Sequence, residues 1–264
     1  MMPVLHRLVS GVLVCLCVSV FLPPFACADA VPVPEQLPAL ALAKSREAQL
    51  EALLGVPYRP DGAVDEEGRF TLFANRAKRF DTPGFNCSGL LLEACRFLFK
   101  RNISLDEASR DRLGDSGPGS ARGQDWDFGW DIIVNVSEGL ERRFILPGGA
   151  EMDPAQASGV EPLGWSLTDP SLWRELPLRL KKGHVYLVSM TMQARLEGYG
   201  LQHYHVGLVY VDGANKAWFY QTTGRGKVSN RRDLKSAQGQ ASFMQAFASG
   251  SPKKMLVLEV TLPD

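Results

Sequence analysis

The hydrophobic pattern changes period once along the chain. Over residues 39–54 apolar positions recur at helical spacing with charges between them, which predicts a helix ended by Gly55. Residues 87–100 are apolar on most faces and predict a buried helix, and Ser104-x-x-Glu107 is a capping box that starts another, expected to reach Leu113. Residues 167–176 and 236–249 read as two further helices. After position 184 the pattern turns β-rich, with strands predicted over 185–192, 205–211, 217–223 and 255–262. The turn Asp212-Gly213-Ala214-Asn215 makes a hairpin of the middle two. Helices first and antiparallel strands second indicate the α+β class. Two stretches fit neither period. Residues 56–84 read as loop with a short strand at 70–73, and the Gly-, Asp- and Pro-rich stretch 114–164, interrupted at 130–144, is assigned no element and is expected as an insertion over the surface.

The first residues form a separate unit. His6 and Arg7 precede an apolar run over 8–22, which Pro23-Pro24 interrupts before Ala26-Cys27-Ala28. That order is a secretory signal peptide over 1–28, and the run falls short of the roughly 20 residues a spanning helix needs. Membrane contact is therefore expected only through this segment, with acylation of Cys27 as the lipoprotein alternative. A proline-rich leader follows over 29–41, and one domain over 42–264. Removing 1–28 leaves 28 basic and 29 acidic residues, which argues against a bulk electrostatic grip on nucleic acid. An exported, periplasmic or extracellular monomer is expected.

The same cleavage removes Cys15, Cys17 and Cys27 and leaves Cys87 and Cys95. Eight residues of helix separate the remaining pair by roughly 12 Å, beyond the roughly 7 Å a disulfide tolerates, so both are expected to be free thiols. Cys95 lies among leucines and reads as core. Cys87 opens the helix after the loop Asp81-Thr82-Pro83-Gly84, where unpaired N–H groups favour a thiolate. A cysteine nucleophile needs a base, and the remaining imidazoles are His184, His203 and His205. Period-two alternation predicts that His203 and His205 share one face of a strand and Tyr204 the other. Gln221, polar among aromatics on the next strand, can fix the tautomer of an imidazole.

Five segments in order resemble the NlpC-type branch of the papain-like cysteine peptidases. They are Leu54-Gly55-Val56-Pro57-Tyr58 with Gly62, Phe85-Asn86-Cys87-Ser88-Gly89-Leu90, Leu180-Lys181-Lys182-Gly183, His205-Val206-Gly207-Leu208-Val209-Tyr210, and Phe219-Tyr220-Gln221. The resemblance implies a papain-like fold, with the nucleophile helix on a small antiparallel sheet, over residues 42–234, and insertions near 63–84 and 114–164. It implies Cys87 as nucleophile, His205 as base and then acid, Gln221 as the orienting residue, and Tyr58 near the thiol helping to hold the oxyanion. Asn86, Ser88 and His203 are implied neighbours of the substrate, with His203 the runner-up base. Asn86 stands where the family usually has Asp, so the charge that meets a free amine is missing. The implied activity is hydrolysis of peptidoglycan stem peptides between D-Glu and diaminopimelate, with no cofactor and no metal. The alternatives are a papain-like amidase or acyltransferase on another amide or a lipid, a zinc site from His184, His203 and His205, and an inactive binding protein.

Overall fold

Helix packing in this protein starts from a 13-residue helix that buries nearly its whole surface. The computed structural model describes residues 45–114, 126–193, 200–250 and 252–264; the predicted signal peptide, the leader 29–41 and the first part of the predicted helix over 39–54 lie outside them. Helix α1 is Arg46–Glu51, and α2 is Cys87–Phe99. Asn86 caps α2 by accepting the Gly89 N–H at 2.8 Å, and Lys100 ends it in the left-handed region at φ 54°. Gly89 lets α2 approach its neighbours: a Cβ there would lie 2.3 Å from the Gly62 carbonyl oxygen. Gly62 opens strand β1 (Gly62–Val64), which pairs antiparallel with β2 (Phe70–Leu72) inside the stretch expected to be mostly loop.

Helix α3 (Leu105–Ala108) starts as its capping box predicts, with Ser104 Oγ accepting the Glu107 N–H at 3.0 Å, but stops well short of Leu113. Asp111 ends that path by accepting the Leu113 and Gly114 N–H groups in a turn. Helix α4 (Phe128–Val136) lies within 114–164 and covers the start of the interruption at 130–144, and its Ile132 and Ile133 are fully buried in the core. Strands β3 (Arg142–Ile145), β4 (Glu151–Met152) and β5 (Trp165–Ser166) follow, and then helix α5 (Ser171–Arg179).

The predicted β-rich half forms β6 (His184–Gln193), β7 (Leu201–Val211), β8 (Ala217–Gln221), an additional strand β9 (Asn230–Asp233), helix α6 (Ala237–Phe247) and β10 (Lys253–Thr261). All pair antiparallel in the order β4-β3-β10-β6-β7-β8-β9, with β5 also on β10. The sheet has eight strands, larger than the small sheet expected. Alternation along it is clean. Val185, Leu187, Val206, Leu208 and Tyr220 pack with α2 and α4 on one face. Tyr186, Val188, Met190, Val209 and Phe219 pack with α5 and α6 on the other. Which face a β7 side chain occupies therefore decides what it can meet.

Candidate active site

Cys87 is the first residue of α2 and is half-buried, whereas Cys95 two turns later is fully buried. Burial pushes the Cys95 thiol far up, away from thiolate, and the two are free thiols as expected. The first-turn N–H groups of Cys87 and Ser88 meet no acceptor among the described residues, because the Asn86 cap reaches only Gly89. Asn86 and Ser88 are themselves buried, and the Asn86 amide oxygen serves as the helix cap. A thiol beside two unmatched N–H donors can attack a carbonyl and hold the oxygen that becomes negative.

A three-segment ribbon fixes the approach to this thiol. Phe85 N–H donates to Pro57 O at 3.2 Å and Arg59 N–H to Phe85 O at 3.1 Å, forming the parallel bridge of Tyr58 with Phe85. On the other side Tyr58 N–H donates to Lys227 O at 2.6 Å and Pro57 bridges Val228. Tyr58 thus lies in the middle segment, its ring against Gly224, where a Cβ would come within 3.2 Å of it. Arg59 stacks on Phe80 at 3.9 Å and donates to Thr82 O and Gly84 O, tying down the loop before the thiol. The ribbon places Cys87 at the end of the sheet where β8 stops and β9 begins.

The predicted dyad is not assembled. Thr191 pairs with His203 and Met190 with His205, so Tyr204 is an extra residue on β7 and the register shifts there. Such a bulge puts two consecutive residues on the same side of the strand. Tyr204 and His205 both join the α6 face: the His205 ring stacks on Phe247 at 5.1 Å, and Tyr204 Oη meets Met190 Sδ. His203 goes to the opposite face, that of α2 and α4. The expectation that both histidines share a face is therefore corrected. His205 Nε2 has no hydrogen-bond partner, Cys87 Sγ included.

His205 is also held in its neutral form. Burial, with the Arg232 guanidinium nearby, lowers its pKa to about 3 against an interaction with Gln221. Gln221 shares the α6 face with His205, but its Nε2 donates to Asn230 Oδ1 at 2.7 Å and its Oε1 is unmatched. Arg232 also reaches Asn230 Oδ1, and Ser242 Oγ at 3.0 Å. An imidazole this reluctant to take a proton is poorly matched to protonating a leaving amine at neutral pH.

His203, the imidazole on the thiol's face, has both nitrogens engaged. Its Nε2 lies 2.9 Å from the Gly159 carbonyl, which can only accept, so Nε2 carries the proton and Nδ1 accepts from Ser189 Oγ–H at 2.8 Å. Burial lowers its pKa to about 4, and Trp126 and Trp130 flank the ring. It staples β7 to the segment at Gly159. The third histidine, His184, starts β6 and sits 3.9 Å from Glu259.

These histidines do not converge on one point. Among the described residues the group whose ligand atoms lie within 4.8 Å of one another is Asp111, Asp127 and Asp131. That is an all-oxygen set without imidazole or thiol, which suits hard cations rather than zinc, so the zinc alternative gains no support.

Fold and site define an α+β protein with a half-exposed thiol at the start of its central helix. Neither a family model nor a curated protein matches the chain. Among solved structures it is similar to protein LPG0564 from Legionella pneumophila, assigned to the family DUF1460. The TM-score is 0.47 at 14% identity, over 83% of this chain and 88% of that one. The expected membership of the NlpC-type branch is corrected, because no family model, that branch's included, matches the chain.

Proposed function

We propose that the protein is an exported thiol hydrolase in which Cys87 attacks an amide carbonyl. The observation that carries this reading is the pairing of a half-exposed thiol with the unmatched N–H groups of Cys87 and Ser88 on the first turn of α2. The sulfur–carbon bond forms as the carbonyl oxygen gains charge facing those donors. The carbon–nitrogen bond then breaks, and the amine leaves with the proton that the thiol gave up, relayed through solvent. Water hydrolyses the thioester and restores the thiol. The leader-like residues 1–28 support action outside the cytoplasm. Peptidoglycan stem peptides, amides that an exported hydrolase meets, are the substrates to try first.

The test is product analysis by mass spectrometry after incubating stem peptides and a panel of simple amides with the protein. Wild type and Cys95→Ala are expected to release fragments, and Cys87→Ala to be slower by at least about a thousandfold. Equal fragment release by Cys87→Ala would remove the proposal.

A further inference from the structure

Residues 225–232 carry four basic side chains, and the structure divides them into two kinds. Arg231 pairs with Glu51 and lies over Trp218, while Arg232 is half-buried and bonded to Asn230 and Ser242. Arg225 and Lys227 are exposed, and their side chains make no hydrogen bond or ion pair to a described residue. The turn that presents them is fixed rather than loose. Thr223 O accepts the Lys227 N–H and Thr223 Oγ1 the Gly226 N–H, both at 3.0 Å, and Lys227 holds φ at +63°.

The ribbon sets where this turn lies. Its residues 226–228 border the Tyr58 segment, and that segment borders Phe85, two residues before the thiol. Neighbouring strands lie about 4.8 Å apart, so the turn stands roughly 10 Å from the Phe85 backbone across a single intervening segment. Two uncompensated cations at that range act on whatever approaches Cys87.

We propose that the Cys87 site takes an anionic substrate, an amide bearing a carboxylate or another negatively charged group beside the scissile bond, and that Arg225 and Lys227 select it. This rests on Cys87 being the reactive group. It specifies the charge of the substrate, which the nucleophile alone does not. Arg225 and Lys227 are specificity-determining residues and take no part in bond making.

The test needs no knowledge of the natural substrate. Cys87 is alkylated with iodoacetate, an anion, and with iodoacetamide, its neutral analogue, and the ratio of the two rates is taken for each protein. Comparing ratios cancels differences in thiol exposure, and the fixed acids nearby, Asp61 and Asp81, are common to all variants. In about 0.01 M salt, two unit charges at roughly 12 Å imply a ratio about twofold lower in Arg225→Ala/Lys227→Ala. Reversal to Arg225→Glu/Lys227→Glu implies a ratio about fourfold lower. In 0.5 M salt the three proteins are expected to converge. Equal ratios for all three at low salt would overturn the proposal. Failure of Cys87 to react with either reagent would overturn it together with the hydrolase reading. Charge selectivity without hydrolysis of any amide would overturn the hydrolase reading alone.

Discussion

At the residue scale, burial separates the thiol from the two histidines of β7. Cys87 is half-buried at a helix mouth, while His203 and His205 are each 5% exposed and held neutral. A histidine with a lowered folded-state pKa takes up its proton more readily when the chain is unfolded. Stability from these two is therefore full above the ordinary value of 6.5 and is lost as pH falls, towards about 4 for His203 and about 3 for His205. Each adds a slope of up to about 1.4 kcal/mol per pH unit within its window. Denaturant titrations at pH 7 and pH 5 should show this loss, and His205→Leu should lessen it. The same variant tests the site: hydrolysis is expected to stay within about tenfold of wild type. Hydrolysis lost by a thousandfold in a folded His205→Leu protein would instead restore His205 as the base.

At the scale of elements, α2 is positioned by close backbone approach. Gly→Ala inside a helix normally stabilises by about 1 kcal/mol. At Gly89 the added methyl would meet the Gly62 carbonyl at 2.3 Å, so Gly89→Ala is expected to lower the melting temperature. Asn86→Ala should cost about 1 kcal/mol through loss of the cap, whereas Asn86→Asp should retain it. The strands show why one part of the site was legible in the sequence and another was not. The span of α2 follows from its apolar run and the Asn86 cap, and with it the position of Cys87. The face of His203 relative to His205 does not follow, because a single extra residue at Tyr204 reverses the parity that strict alternation along β7 implies. No side chain in His203-Tyr204-His205 announces that bulge. Strand β9 was hidden in a similar way: Asn230-Arg231-Arg232-Asp233 is an edge strand of charged residues that reads as a solvated loop.

Across the whole molecule, one buried guanidinium ties α2 to the hairpin and to the approach to α3. Arg96 on α2 reaches Glu93 Oε2 at 3.0 Å, Val64 O at 2.8 Å on β1 and Ile103 O at 2.8 Å before α3. Burial raises the Glu93 pKa against the pull of Arg96. Arg96→Leu would leave that carboxylate and the carbonyls of Val64, Asp65 and Ile103 without their donor, and a loss of about 3–5 kcal/mol is expected in denaturant unfolding. Glu93→Gln should cost less, since the guanidinium keeps its backbone acceptors. The two-faced sheet also explains why helical spacing failed for residues 114–164. Among the described residues of that stretch, α4 and Phe144 pack on one face and Ile145 on the other, rather than gathering on one periodic element.

The chemical assignment of Cys87 meets its most direct test in rapid-quench mass spectrometry of the intact protein mixed with an activated aryl ester or a peptide thioester. The expected result is an acyl adduct that maps to the peptide containing Cys87, forms faster than on a free thiol and decays as product appears. An adduct confined to other residues, or formed no faster than on a free thiol, would contradict the account.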